Sequence, residues 1–219
     1  MRSSLILGVV LAGGKSTRMG QDKSRLPALL STHSAKTDVN VAAQPTPSMM
    51  QYSASLLEQV GINDIVISGK SQHQGIADYI PFAGPLMGLY SIIQSRQPKA
   101  ILALPVDMPL LSAAEVKQIK IAGELSGKCT CFADHPLPLY LPINVQVHSF
   151  LNQHYQRLIT NPETQGPSFK QLFAQSGVNS LRCDFPKRLE NTNTPEQWQR
   201  AQQTAREIES TARFHQYIS

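Results

Sequence analysis

Gly13 and Gly14, followed by Lys15, Arg18 and Lys23, are the residues of this chain best suited to chemistry, and what they suit is the binding of a polyphosphate. Adjacent glycines place no side chain between backbone and ligand, so peptide N–H groups can approach an anion closely. Ammonium and guanidinium groups then add charge-assisted bonds of roughly twice neutral strength. The apolar run at residues 5–11 reads as a buried strand that delivers the glycines to a sharp turn. Two familiar glycine motifs do not fit. The P-loop needs four residues between its first glycine and Gly-Lys-Ser, whereas Gly8 to Gly14 encloses five. The dinucleotide fingerprint needs alternating glycines, and after Gly13 and Gly14 the next is Gly20. A secretory leader is disfavoured, because residues 5–11 sit at the lower limit of an apolar leader core. The bland reading of the stretch is a strand and turn with a solvated basic loop.

Asp107 is the second candidate. It lies in Pro105-Val106-Asp107-Met108-Pro109, directly after the apolar run 100–104. In open parallel sheets ligands gather outside the carboxyl ends of strands, which is where this spacing puts both Asp107 and the glycine pair. One carboxylate suffices for Mg²⁺, which is usually held by one or two carboxylates together with substrate phosphates and waters. An aspartate between two prolines is also a good turn former, and the spacing alone leaves both roles open. In the run Asn191-Thr192-Asn193-Thr194-Pro195-Glu196, the two asparagines share a face if the chain is extended and so offer two amides to one ligand. Cys129 and Cys131 share a strand face, but no fourth ligand follows at zinc spacing, so buried thiols are expected.

The elements that must hold these residues alternate between short apolar runs and helical patterns, the signature of an α/β fold. Met49, Tyr52, Leu56, Leu57 and Val60 recur at helical spacing up to Gly61, and a strand follows at 65–67. A helix is expected after Pro85, and another over about 113–124 behind a capping box of Ser112 and Glu115. Strands near 129–133 and 138–141 should pair, and Thr194 with Pro195 should open a polar C-terminal helix. With 219 residues, 41% of them hydrophobic, the chain suffices for one α/β domain. No apolar stretch approaches the roughly twenty residues of a membrane span, so no membrane partner is expected. Three cysteines in a chain of this length suit a reducing compartment, with the cytoplasm as the default. A net charge of +5 would also suit nucleic acid, but no aromatic-plus-basic stripe accompanies the cations, and a phosphorylated small molecule explains them more economically.

Leu11 through Lys23 resembles the signature of the molybdenum cofactor guanylyltransferase family, Leu-Ala-Gly-Gly-x-Ser-x-Arg-Met-Gly-x-Asp-Lys. The related cytidylyl branch typically reads Leu-Ala-Ala-Gly, so Gly13 leans the resemblance toward guanine. Further matches are Asp78 with Gly84-Pro85-Leu86-Met87-Gly88, the Pro-x-Asp-x-Pro around Asp107, His135-Pro136 before an apolar strand, and Asn191-x-Asn193-Thr-Pro-Glu. The resemblance implies a single Rossmann-like, three-layer nucleotidyltransferase domain of GT-A-like architecture over residues 1–219, with a mostly parallel sheet. It implies that Leu11, Ala12, Gly13, Gly14, Lys15, Lys23, Ser68, Asp78 and Asp107 bind nucleotide. Arg18, Lys23 and Asp107 would be catalytic, and Asp107, with Asn191 and Asn193, would hold Mg²⁺. Two departures stand out. Relatives usually continue through Gly-Lys-Pro-Leu, whereas here a longer segment rich in Ser, Thr, Asn and Pro is expected to form a flexible insertion at 31–47; and Ser68 stands where the family has asparagine.

The reaction implied is attack by the terminal phosphate of molybdenum-loaded molybdopterin on the α-phosphorus of GTP, giving a guanine dinucleotide cofactor and pyrophosphate. Its partners would be those two substrates, with transient contacts to cofactor-synthesis or acceptor proteins. Rival readings are a cytidylyl or sugar-phosphate nucleotidyltransferase, a catalytically idle nucleotide-binding regulator, and a nucleic-acid module.

Overall fold

The computed structural model describes residues 6–13, 22–30, 46–69 and 75–216, with side chains to residue 211. β1 (Ile6–Leu11) and β4 (Ala100–Pro105) are near-continuous apolar runs, and such runs belong in the middle of a sheet covered on both faces. They do lie there. With β2 (Ile65–Ser68), β3 (Gly75–Ile76), β5 (Cys129–Phe132), β6 (His135–Pro142) and β7 (Val178–Leu181), they form one seven-stranded sheet in the order β3-β2-β1-β4-β6-β5-β7. β6 alone runs against its neighbours; every other pairing is parallel.

Alternation along β1 and β4 sends side chains to two cores. Leu7, Val9, Leu11, Ile101 and Ala103 meet α2 (Pro85–Arg96), α4 (Val145–Thr160) and α5 (Phe169–Ser176) on one face. Val10, Leu102 and Leu104 meet α1 (Met49–Gln59) and α3 (Ala113–Ser126) on the other, joined by Trp198 of α6 (Pro195–Gln216). Full burial of each such aliphatic side chain contributes about 1.5–3 kcal/mol, so the central strands are the best-anchored part of the sheet. The expected three-layer α/β domain is therefore present. Cys129 and Cys131 are buried in the first core, and among the described residues no three or more His, Cys, Asp or Glu side chains gather as a metal-binding group. No described helix is long and apolar enough to cross a membrane.

Helix boundaries follow the local chemistry. α1 and α3 both begin with reciprocal capping boxes, Ser48 with Gln51 and Ser112 with Glu115. At α6, Gln197 N–H donates to Thr194 Oγ1 at 3.3 Å, while the Gln197 amide oxygen accepts from the backbone of Asn193 and Thr194 at 2.6 and 3.1 Å. Residues 31–45 of the expected insertion lie outside the described residues, but its base is closed. Ala28 N–H donates to Pro47 O at 2.7 Å and Met49 N–H to Leu26 O at 2.7 Å. Leu29 and Leu30 pack against Leu110, Ala201 and Ala205.

Candidate active site

Parallel β1, β2 and β4 end at one edge of the sheet, and antiparallel β6 begins there. The register makes this concrete: Leu11 lies opposite both Ser68 and Pro105, so the residues just beyond each strand, Gly13, Gly69 and Asp107, emerge side by side. They line a cavity of about 900 Å³ together with Leu11, Ala12, Lys23, Ser68, Asp78, His135, Asn191 and Asn193. Nearly every described residue marked out by the sequence thus reaches the same space. Gly14, Lys15 and Arg18 lie outside the described residues.

Lys23 joins three distant segments. It sits in a short 3-10 turn, Lys23–Arg25, whose start is fixed by Asp22 accepting from Ser24 N–H at 3.0 Å. Its ammonium donates to Asn193 Oδ1 at 2.5 Å and lies 3.5 Å from Asp107 Oδ2. The asparagine segment is also bound to the aspartate's backbone, because both Thr192 N–H and Thr192 Oγ1 donate to Asp107 O, at 2.8 and 3.2 Å. Thr192 is buried, so these bonds are shielded from competing water. Burial raises the Asp107 carboxyl above its ordinary pKa, and the neighbouring Lys23 charge opposes that rise.

The wall on the β2 side is built by missing side chains. Gly69 has φ +81°, in the left-handed region that favours glycine, and a Cβ there would fall 3.0 Å from Gly13 Cα. The two strand ends therefore approach backbone to backbone. On α2, a Cβ at Gly88 would lie 2.5 Å from Ser68 Oγ and 3.0 Å from Asp78 Oδ1. Glycine at that position leaves room for a serine–aspartate pair, with Ser68 Oγ donating to Asp78 Oδ1 at 3.5 Å. Burial raises the Asp78 carboxyl, and the Ser68 hydrogen bond works against it. Gly69 was not singled out from the sequence, although a glycine ending an apolar run, as Gly13 does, was a usable signal.

A family model described as the MobA-like NTP transferase domain matches residues 8–159, more than half of the chain. The chain belongs to this family. The match covers the glycine turn, the Ser68–Asp78 wall, Asp107 and His135, while the asparagine segment lies beyond it. A molybdenum cofactor guanylyltransferase of Xanthomonas euvesicatoria pv. vesicatoria is 36% identical over 197 residues, covering 88% of this chain and 92% of the relative. One of Helicobacter pylori is 24% identical, covering 91% and 89%. Among solved structures, a nucleotidyl transferase of Methanothermobacter covers 93% of this chain and 99% of its own at TM-score 0.61 and 15% identity. A 2-C-methyl-D-erythritol 4-phosphate cytidylyltransferase of Thermus thermophilus covers 91% and 98% at TM-score 0.53 and 9% identity. At those identities the structural likeness speaks for the fold. The chain is a MobA-like nucleotidyltransferase.

Proposed function

We propose that this MobA-like domain transfers GMP from GTP to the terminal phosphate of molybdenum-loaded molybdopterin, forming the guanine dinucleotide cofactor and releasing pyrophosphate. The observation that carries the reading is the bridge from Lys23 to Asp107 and Asn193, which gathers a cation, a carboxylate and an amide at the mouth of the glycine turn. Identity of 36% to a molybdenum cofactor guanylyltransferase over most of both chains supports the choice of substrates.

The residues divide the work by position. Gly13, approached closely by Gly69, gives the nucleotide access to bare backbone at the end of β1. Lys23 supplies a fixed positive charge where phosphate negative charge accumulates, and Arg18 and Lys15 would add to it. Asp78, held by Ser68, presents a carboxylate to the nucleotide's donor groups. Asp107 and the amides of Asn191 and Asn193 are hard oxygen donors, the set that Mg²⁺ prefers, and one carboxylate with substrate phosphates is enough to hold it. When bound, Mg²⁺ neutralises phosphate charge that develops during transfer. No general base is needed, since a phosphate monoester with a second pKa near about 6 is already largely ionised at neutral pH.

The test is pyrophosphate release from GTP, CTP, ATP and UTP with Mg²⁺, with and without molybdenum-loaded molybdopterin. Release from GTP that depends on the acceptor, and slower release from CTP, is expected. Acceptor-dependent release from CTP at an equal or higher rate would overturn the guanine assignment.

A further inference from the structure

The loop from Asp78 to Gly84 joins β3 to α2 and is held at several points. Tyr79 N–H donates to Ser91 Oγ of α2 at 2.9 Å, and Ala83 N–H closes a turn on Ile80 O at 3.4 Å. Gly166, between α4 and α5, packs so tightly on this loop that a Cβ there would fall 1.8 Å from Ala83 O. At the centre of the anchored loop stands Phe82, with φ +63°, a region that phenylalanine rarely occupies, and 77% exposed. It lines the same cavity as Gly13, Asp78 and Gly88. An aromatic side chain held exposed at the cavity wall by an uncommon backbone conformation can offer a ring face to a ligand in that cavity.

We infer that Phe82 is a stacking platform for the nucleobase of the bound nucleoside triphosphate, and that Gly166 is the positioning residue that sets the ring's place. The inference rests on the nucleotidyl-transfer reading and deepens it. Continuity decides the occupant: Phe82 lies on the loop that begins at Asp78 and ends at Gly84, so its nearest ligand neighbour is the nucleotide. Stacking uses the face of a base and not its hydrogen-bonding edge, so Phe82 gives affinity while leaving base selection to polar groups such as Asp78.

Equilibrium binding of GTP and of inorganic tripolyphosphate to the full chain separates stacking from other roles. Phe82→Ala should weaken GTP binding about tenfold or more and leave tripolyphosphate, which has no base, unchanged; Phe82→Tyr should restore GTP binding and Phe82→Leu should not. Gly166→Ala should lower GTP affinity in the wild-type background and have little further effect in Phe82→Ala, because the two act through one contact. In Phe82→Trp, GTP but not tripolyphosphate should quench the new tryptophan emission, measured against the signal of Trp198 in the parent. Equal GTP affinity in Phe82→Ala and wild type overturns the stacking role alone, as does equal loss of GTP and tripolyphosphate binding. A wild-type chain that binds no GTP overturns the guanylyl-transfer reading and this inference together.

Discussion

Asp107 and Glu115 both follow β4 and both face a cation, Lys23 at 3.5 Å and Arg188 at 3.8 Å, yet their oxygens are used differently. Glu115 Oε2 accepts from the Ser112 backbone N–H at 3.1 Å and from the Ser112 hydroxyl, and the side chain is 6% exposed. Its carboxylate is taken up in starting α3 and in holding the 3-10 turn that carries Arg188. The Asp107 carboxylate is 25% exposed at a cavity, and the bonds from Thr192 fall on the Asp107 backbone instead of its side chain. The backbone oxygen fixes the segment, which leaves the carboxylate to Lys23 and to the cavity. An acid paired with a base is therefore no signature of function by itself. What distinguishes the two is which atoms the surrounding structure has already engaged.

Substitutions at the two carboxylates should separate those roles, with the largest effect at Asp107. Asp107→Asn keeps size and the Thr192 bonds but removes the charge, so acceptor-dependent pyrophosphate release should fall on the order of a hundredfold or more, equivalent to several kcal/mol, with little change in the urea midpoint. Glu115→Ala should do the reverse, lowering stability by about 1–3 kcal/mol through a lost cap and an uncompensated Arg188, with turnover retained within a few-fold. If Glu115→Ala abolished turnover in a folded protein, the division between site and scaffold would be wrong.

Lys23→Ala should have an intermediate effect, weakening GTP binding about ten- to a hundredfold as one charged hydrogen-bonding group is lost. It also has a pH signature. Burial holds the folded-state Asp107 carboxyl above its ordinary 3.8, and Lys23 restrains that rise. Removing Lys23 lifts the pKa further, so the acid limb of the pH–rate profile should move to higher pH. Stability follows from the same sign: a carboxyl raised in the folded state binds protons there before it does in the unfolded chain. Its charged form therefore disfavours folding above the raised pKa, and that cost is relieved as pH falls toward 3.8. An acid limb unmoved in Lys23→Ala would remove the coupling between the two groups.

The smallest effect is expected from replacing residues 31–45 with a short glycine-containing turn. The Ala28–Pro47 and Leu26–Met49 hydrogen bonds already join the ends, so GTP affinity should stay within a few-fold and any loss should fall on acceptor use. Collapse of the far-UV circular dichroism on deletion would make the segment part of the core.

Features set by local spacing were readable from the sequence: the helix from Met49, the apolar runs of β1 and β4, the box of Ser112 and Glu115, and the Thr194-Pro195 start of α6. Hydrophobic periodicity and capping act within a few residues, so they leave marks in the chain. The pairing of strands near 130 and 140 was also legible, but the reversed direction of β6 against β4 was not, since alternation does not encode orientation. β3, α4, α5 and β7 passed unnoticed; β3 has only two residues, and β7 at the sheet edge is half exposed and carries little apolar pattern. At the site, the candidates around Gly13, Asp107 and Asn193 converge, whereas their joining through Lys23 depends on the closure of a chain separated by 170 positions. The contact of Gly166 with Ala83 is of the same kind, two loops with no motif in either.

The central claim is that Asp107 gives the cavity edge its hold on Mg²⁺ and so on the triphosphate. Calorimetric titration of GTP into wild type and Asp107→Asn, each with and without Mg²⁺, tests it most directly. Mg²⁺ should tighten GTP binding to the wild-type chain at least tenfold and leave the affinity of Asp107→Asn nearly unchanged. Equal tightening by Mg²⁺ in a folded Asp107→Asn protein would contradict the account.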